Sequence, residues 1–425
     1  MKTLYVNNYK GFTNTYVPFL DVNFFVGENS TGKTAILNLI SILSDLKFWF
    51  SPDFNNEFVE LGYFNEIVNQ RSDKKKCFEI GLEYEVKKTT KSSWKYIWLK
   101  FEEKDNRPYV KEFRMVIGNQ SVYVDIFSKW AEYCNEDFKN ESFQDWITNH
   151  KHLSCHKTRV SYPKEMKNIP FGVIRSSIIA MISGSSEAIN FENLTFSTPY
   201  EHLIWLSPIR AKAQRYYESY KSNYSPEGSH TPIILKKILS TKAKEKNIKI
   251  IENLNKFGEE SGLFDTIQIT EFGKGKGSPF SININYDTLP IKITNVGYGV
   301  SQILPIIVEL LTTKNGVLAF QQPEVHLHPK AQASFGDLIF ISANDNKNKF
   351  FIETHSDFTI NRYRYRIYKS DAIKNTQGQV LFFERDSKGT HITSLPFNDN
   401  GQYPENTPES YSKFFLDEEL NMLEF

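Results

Sequence analysis

The spacing of apolar and polar positions divides the chain into blocks of different character. Lys2 to Val26 reads as short strands with a turn near Gly11, ending in the apolar run Val22, Phe24, Phe25 and Val26, which has the length of a buried strand. Ile36, Leu37, Leu39, Ile40 and Leu43 then recur at helical spacing and predict a helix from Lys33 to about Lys47. From Cys77 the pattern changes to near-alternation: CFEIGLEYEV, WKYIWLKFEE and RPYVKEFRMVIGNQSVYVDIF, with Gly118-Asn119 as a turn, predict antiparallel sheet. Between Trp130 and Asn190 the pattern is broken, with helical segments expected around Phe143 to His150 and Arg175 to Ile182. Beyond it, HLIWLS predicts a buried strand, and Ile233 to Phe257 one amphipathic helix with a lysine-rich face. IQIT and FSININ are strands joined by the glycine- and lysine-rich loop Glu271 to Phe280. Thr294 to Leu311 is a loop running into an apolar helix, and Val317 and Lys349 each open an apolar strand that ends in polar residues.

Between the first buried strand and the first helix lies Gly27-Glu28-Asn29-Ser30-Thr31-Gly32-Lys33-Thr34, a full match to the phosphate-binding pattern G-x-x-x-x-G-K-[ST] in its required setting. Gly27 and Gly32 let the backbone curl until its N–H groups face phosphate oxygens. Lys33 supplies a cation for the β- and γ-phosphates. Thr34 offers a hydroxyl to Mg²⁺, and the helix starting there turns its positive end to the anion. This stretch predicts binding of a nucleoside triphosphate.

A second cluster of chemistry lies toward the C-terminus. Gly297, Gly299, Ser301 and Gln302 crowd the start of an apolar helix, where small residues and a hydroxyl make an anion site. The plain alternative is an ordinary helix start with Ser301 as the cap. Pro305 falls early in that helix, where it is tolerated. VLAFQQPEVHLHP is an apolar strand with a polar tip, the form of the second nucleotide-binding motif. KFFIETHSDFTINR is another, and His355 at its end is placed to sense a γ-phosphate.

Composition narrows the classes. Lys+Arg 51 against Asp+Glu 50 leaves a net charge of +1, so any nucleic-acid contact has to come from a local patch. One candidate is Arg210, Lys212, Arg215 and Lys221 interleaved with Tyr216, Tyr217 and Tyr220, although a solvated surface or a nucleotide clamp explains these residues equally well. Three dispersed cysteines exclude a disulfide framework and fit a reducing compartment. His150, His152, Cys155 and His156 lie close together but lack a zinc spacing. Without a signal-like N-terminus or an apolar run of membrane length, a cytoplasmic protein is expected.

In order, GENSTGKT, NVGYGVSQILPI, QQPEVHLHP and ETHSD resemble ABC-type ATPases of the RecF, SMC and OLD (overcoming lysogenization defect) group, and more closely the stand-alone bacterial AAA family ATPases. SPIRAKAQRYYESY and SPEGSHTP look like the same subfamily. The motifs span both ends of the chain, and residues 90–200 carry none of them. The resemblance implies an α/β fold, an ABC-type P-loop NTPase head with an antiparallel β subdomain and a helical insertion. It divides the chain into residues 1–90 (Walker A part), 91–200 (insertion) and 201–425 (signature, Walker B and switch histidine). Gly27 to Thr34 is then Walker A, and Gly297, Gly299, Ser301 and Gln302 stand where the signature reaches the nucleotide of an opposing subunit. Gln321 and Gln322 form the Walker B tip, with Gln321 joining Thr34 at Mg²⁺. Glu324 belongs to the segment after it, His355 is the switch histidine, and Glu66 in FNEIV is a candidate for the lid. Relatives carry an acid where this chain has Gln321, and a neutral amide serves neither as general base nor as counter-charge to Mg²⁺. Either a Glu→Gln change traps bound ATP, or the protein turns over slowly with help from Glu324 or another acid. ATP and Mg²⁺ are the implied ligands. A homodimer or higher oligomer, a separate effector such as a nuclease, and DNA are the implied partners, in a setting of anti-phage defence like that of Septu, PARIS and some retrons. A DNA-clamping repair ATPase and a non-hydrolysing scaffold are the alternatives.

Overall fold

A computed structural model describes residues 1–56, 58–72, 76–87, 92–117, 120–125, 130–135, 142–148, 156–159, 198–200, 203–218, 223–240, 247–275, 277–287, 289–370 and 376–415. The helix expected at 175–182, the Gly118-Asn119 turn and the His150, His152 and Cys155 cluster lie outside these residues, as do Tyr220 and Lys221. The chain divides into two compact units. One holds residues 1–19, 28–202 and 383–393; the other holds 20–27, 203–382 and 394–425.

The first unit is built on a sheet of eight antiparallel strands: β1 (Thr3–Asn7), β2 (Thr15–Pro18), β4 (Cys77–Lys87), β5 (Ser92–Lys104), β6 (Arg107–Ile117), β7 (Gln120–Asp125), β8 (Trp130–Asn135) and β9 (His156–Arg159), in the order β2-β1-β4-β5-β6-β7-β8-β9. The alternation from Cys77 onward gives this sheet one apolar face. Phe78 lies opposite Phe101 in the β4–β5 register, and their rings stack at 4.9 Å. Phe54 meets both edge-on, the arrangement favoured by the ring quadrupoles. The helix Phe143–Thr148 closes a second patch, where the Arg114 guanidinium sits 4.5 Å above the Trp146 ring and donates to the Trp146 carbonyl. Glu66, the lid candidate, accepts from the Tyr63 N–H and caps the short helix Phe64–Ile67.

The second unit carries the parallel sheet. β3 (Val22–Gly27), β10 (Leu203–Leu206), β14 (Val317–Gln321) and β15 (Lys349–Glu353) run parallel in the order β10-β14-β15-β3, and β16 (Gly378–Arg385) and β17 (Thr390–Pro396) complete the six strands. The runs VNFFV, VLAF and FFI are almost unbroken apolar because helices cover strands of this kind on both faces. Strands from both ends of the sequence therefore meet in one α/β sheet, as the motif order requires. Helix Tyr298–Thr312 precedes β14, and helices Pro329–Asp345 and Asp357–Lys369 follow β14 and β15, the strands that carry the motifs. Gly336 lets two of these helices approach closely, since a Cβ there would overlap the Thr359 carbonyl and come within 3.1 Å of the Tyr363 nitrogen. A three-stranded antiparallel sheet, β11 (Thr266–Glu271), β12 (Phe280–Tyr286) and β13 (Leu289–Lys292), packs Ile267, Ile282 and Ile284 into the same core.

The single helix expected over Ile233 to Phe257 is two, Thr231–Leu239 and Ile248–Ser261. The first stops where Ser240 turns extended and its N–H caps the Lys236 carbonyl. No helix among the described residues is long and apolar enough to cross a membrane.

Candidate functional site

The phosphate loop has the backbone its glycines permit. Gly27, Ser30 and Gly32 take positive φ values of 146°, 64° and 93°. Gly32 has no substitute on steric grounds either, because a Cβ there would stand 2.6 Å from the Phe12 ring. Lys33 is 3% exposed and donates to the Glu28 carbonyl at 2.7 Å, and the Thr31 hydroxyl donates to the same oxygen at 2.8 Å. These bonds draw the loop into a ring from Glu28 to Lys33. Glu28, Asn29, Ser30 and Thr34 are exposed along it. Helix Lys33–Ser44 begins with Gly32 as its N-cap, a residue with no side chain to cap the first turn. A curled loop, a cation and an uncapped helix start together fit a polyphosphate.

The second group of residues sits where β14 and β15 end. Gln321 pairs with Glu353, and Glu353 with Phe25, so the carboxyl ends of β14, β15 and β3 share one edge of the sheet. Parallel sheets bind ligands at that edge. The Gln322 N–H donates to the Glu353 carbonyl at 2.8 Å, and Gln322 turns the chain with a φ of 43°. Glu324 thereby reaches the start of the histidine loop. It accepts from the Thr354 hydroxyl at 2.9 Å and from the His355 N–H at 2.7 Å. Desolvation lifts the Glu324 carboxyl above the ordinary carboxylate range, against the pull of those two bonds and of the Arg210 charge. The His355 ring packs beside Phe414. Gln332 joins the two loops, accepting from the Ser356 hydroxyl and donating to the Leu327 carbonyl.

Arg210 belongs to this group, apart from the cations with which the sequence groups it as a nucleic-acid patch, a solvated surface or a nucleotide clamp. It is 2% exposed and donates to the Gln321 carbonyl at 3.2 Å. Burial lowers its pKa to about 10, and the Glu324 charge opposes that shift. Its Nε has no partner among the described residues.

Helix Tyr298–Thr312 has Gly297 as its N-cap, with open space around it. Ser301 is not the cap: it lies inside the first turn, and its hydroxyl donates to the Tyr298 carbonyl at 2.8 Å. Gly299 faces the His326 carbonyl with no room for a Cβ, and the Tyr298 ring meets His326 edge-on at 4.8 Å. This contact ties Gly297 to Gln302 to the segment that follows Gln321. Gln302 is buried, and its amide nitrogen has no partner among the described residues. Among the described residues no cluster of three or more His, Cys, Asp or Glu forms a metal cage. Thr34 and Gln321, the residues expected at Mg²⁺, each offer only a neutral oxygen.

No curated protein matches the sequence. Three solved head domains are similar in outline. One is the SMC head bound to the C-terminal winged-helix domain of ScpA, with 12% identity, a TM-score of 0.44 and coverage of 93% of this chain and 97% of that one. The SMC head domain from Thermotoga maritima has 11% identity, a TM-score of 0.39 and coverage of 93% and 98%. The SMC head with an extended coiled coil bound to the C-terminal domain of ScpA, from Pyrococcus furiosus, has 10% identity, a TM-score of 0.40 and coverage of 100% and 98%. The family model described as AAA ATPase domain matches residues 1–360, and with the phosphate loop and parallel sheet in place, the chain belongs to that family of ATPases.

Proposed function

We propose that this chain is an ABC-type ATPase that binds ATP with Mg²⁺ and uses the nucleotide to join two copies of itself. Gly27 to Thr34 of one copy hold the triphosphate, with Lys33 on the β- and γ-phosphates. The start of helix Tyr298–Thr312 in the second copy, with Gly297, Gly299, Ser301 and Gln302, closes over the γ-phosphate. The observation that carries the reading is the tip of β14 and β15. The Glu324 carboxylate is fixed there by Thr354 and His355, beside Glu353 at the end of β15, on the sheet edge from which the phosphate loop departs. Thr34 and Gln321 would hold Mg²⁺, which supplies charge neutralisation at the phosphates. Glu324 takes the proton of the attacking water, and burial, which raises its pKa, makes it a stronger base than an exposed carboxylate. Gln321 and Gln322 orient water but accept no proton, so turnover is slow and the joined state long-lived.

A long-lived ATP state suits a regulator better than a motor. The chain's output is then a separate effector, such as a nuclease, held or released in bacterial defence against phage. The neutral pair Gln321-Gln322 also favours a second reading, a nucleotide-bound scaffold that never hydrolyses. Expressing the chain with its chromosomal neighbours in a phage-sensitive host tests the defence role. Fewer plaques with the wild type, and full plaque counts with Lys33→Ala, are expected. Equal plaque counts for wild type and vector alone would remove the defence role.

A further inference from the structure

We propose that the outer face of the three-stranded sheet β11-β12-β13, with Tyr216 and Phe272 at its end, is a platform for single-stranded nucleic acid. The site is separate from the phosphate loop and does not depend on the effector role proposed above. The two faces of this sheet differ completely. Ile267, Ile282 and Ile284 point into the core. Gln268, Asn283 and Lys292 lie in line across the other face by the strand register, and Thr266, Asn285 and Pro290 form the next row. On that face the Asn283 amide donates to the Thr270 hydroxyl and the Asn285 amide to the Thr266 hydroxyl, both at 2.9 Å.

Two large rings break the polar surface. Tyr216 is 51% exposed and Phe272 is 49% exposed, and they meet edge-on with centroids 5.2 Å apart. Tyr217, next in the chain, is bridged through its backbone in both directions to Phe280, so the segment carrying Tyr216 is fastened to the sheet. The ammonium of Lys292 stands 4.8 Å from the centre of the Tyr216 ring and donates to its hydroxyl at 3.3 Å. Lys212, Arg215 and Lys274 are exposed in the same two segments. Of the acids there, Glu271 is paired with Lys236, and Glu218 remains exposed.

Tyr216 and Phe272 hold each other and Lys292 but still expose about half of each ring, which leaves room for a further partner. A single strand offers a base face for each ring and phosphates for the exposed cations. A duplex hides its base faces and engages only the charges. In a chain of net charge +1, such a patch is a local asymmetry and not a reflection of a basic protein.

The test is fluorescence anisotropy with labelled oligothymidylate and oligouridylate of about 20 nucleotides, a length that spans one such platform. The wild type is expected to bind at least one of them more tightly than it binds a blunt duplex of the same length. Tyr216→Ala and Phe272→Ala should each weaken binding about tenfold, the loss expected for one stacked base. Lys274→Gln should lower the slope of log affinity against log salt by roughly 0.7, one phosphate contact. ATP affinity is measured on every variant and should not change, which separates loss of the platform from loss of the fold. Preference for DNA or RNA identifies the natural strand. Wild-type protein that binds ATP but neither oligonucleotide overturns the inference, as do ring variants that bind like wild type or a duplex that binds as tightly.

Discussion

Lys33→Ala is expected to weaken ATP binding about 100-fold, the size of a lost charge-assisted contact to phosphate. The side chain is nearly sealed in the loop and already holds the Glu28 carbonyl at 2.7 Å. A triphosphate replaces a neutral carbonyl with several anionic oxygens at the same place, so the ammonium gains most when nucleotide arrives. Alanine removes that gain and also opens the ring that shapes the loop. Helix Lys33–Ser44 should persist, because Ile36, Leu37, Leu39 and Ile40 anchor it in the core. Calorimetric titration with ATP and Mg²⁺ measures the loss, and circular dichroism shows whether the fold survives. Binding unchanged by the substitution would remove the phosphate loop from the account.

Glu324→Gln is expected to lower kcat for ATP by about 10²- to 10³-fold, the range for loss of a general base with its orientation, while ATP affinity stays near wild type. The amide keeps the shape and one acceptor, so either Thr354 or the His355 N–H keeps its partner. What disappears is the proton acceptor. Gln321→Glu works in the opposite direction and is expected to raise kcat, because it places an anion at the end of β14 without disturbing the backbone carbonyl that Arg210 holds. Single-turnover assays measure both. If Gln321→Glu brings no gain, the glutamine is not a block to turnover. If Glu324→Gln changes nothing, the base lies elsewhere.

The phosphate loop was legible because it is local: a strand, eight residues and a helix lie consecutively, and only glycine suits the turn at Gly32. The strand tips were legible for the same reason, since an apolar run that ends abruptly in polar residues leaves them at a sheet edge. Arg210 was not. Its partner Gln321 is 111 positions away, and a buried arginine looks in sequence like any surface cation. The same separation hid Phe272 and Lys292, which meet Tyr216 only after the sheet forms. The end of the first helix at Ser240 was missed because the lysine-rich pattern around it fits a helix surface. The plain alternative for Ser301, a cap, fails although hydroxyls favour that place. Its helix starts earlier, at Gly297, where a backbone with room around it meets solvent.

The central claim is that ATP joins two copies of this chain. Light scattering coupled to size exclusion, with Mg²⁺ and with or without ATP, on the wild type and on Lys33→Ala, tests it most directly. The mass should rise to that of a dimer or higher oligomer only for the wild type with ATP. A mass that stays constant while the wild type binds ATP would contradict the claim.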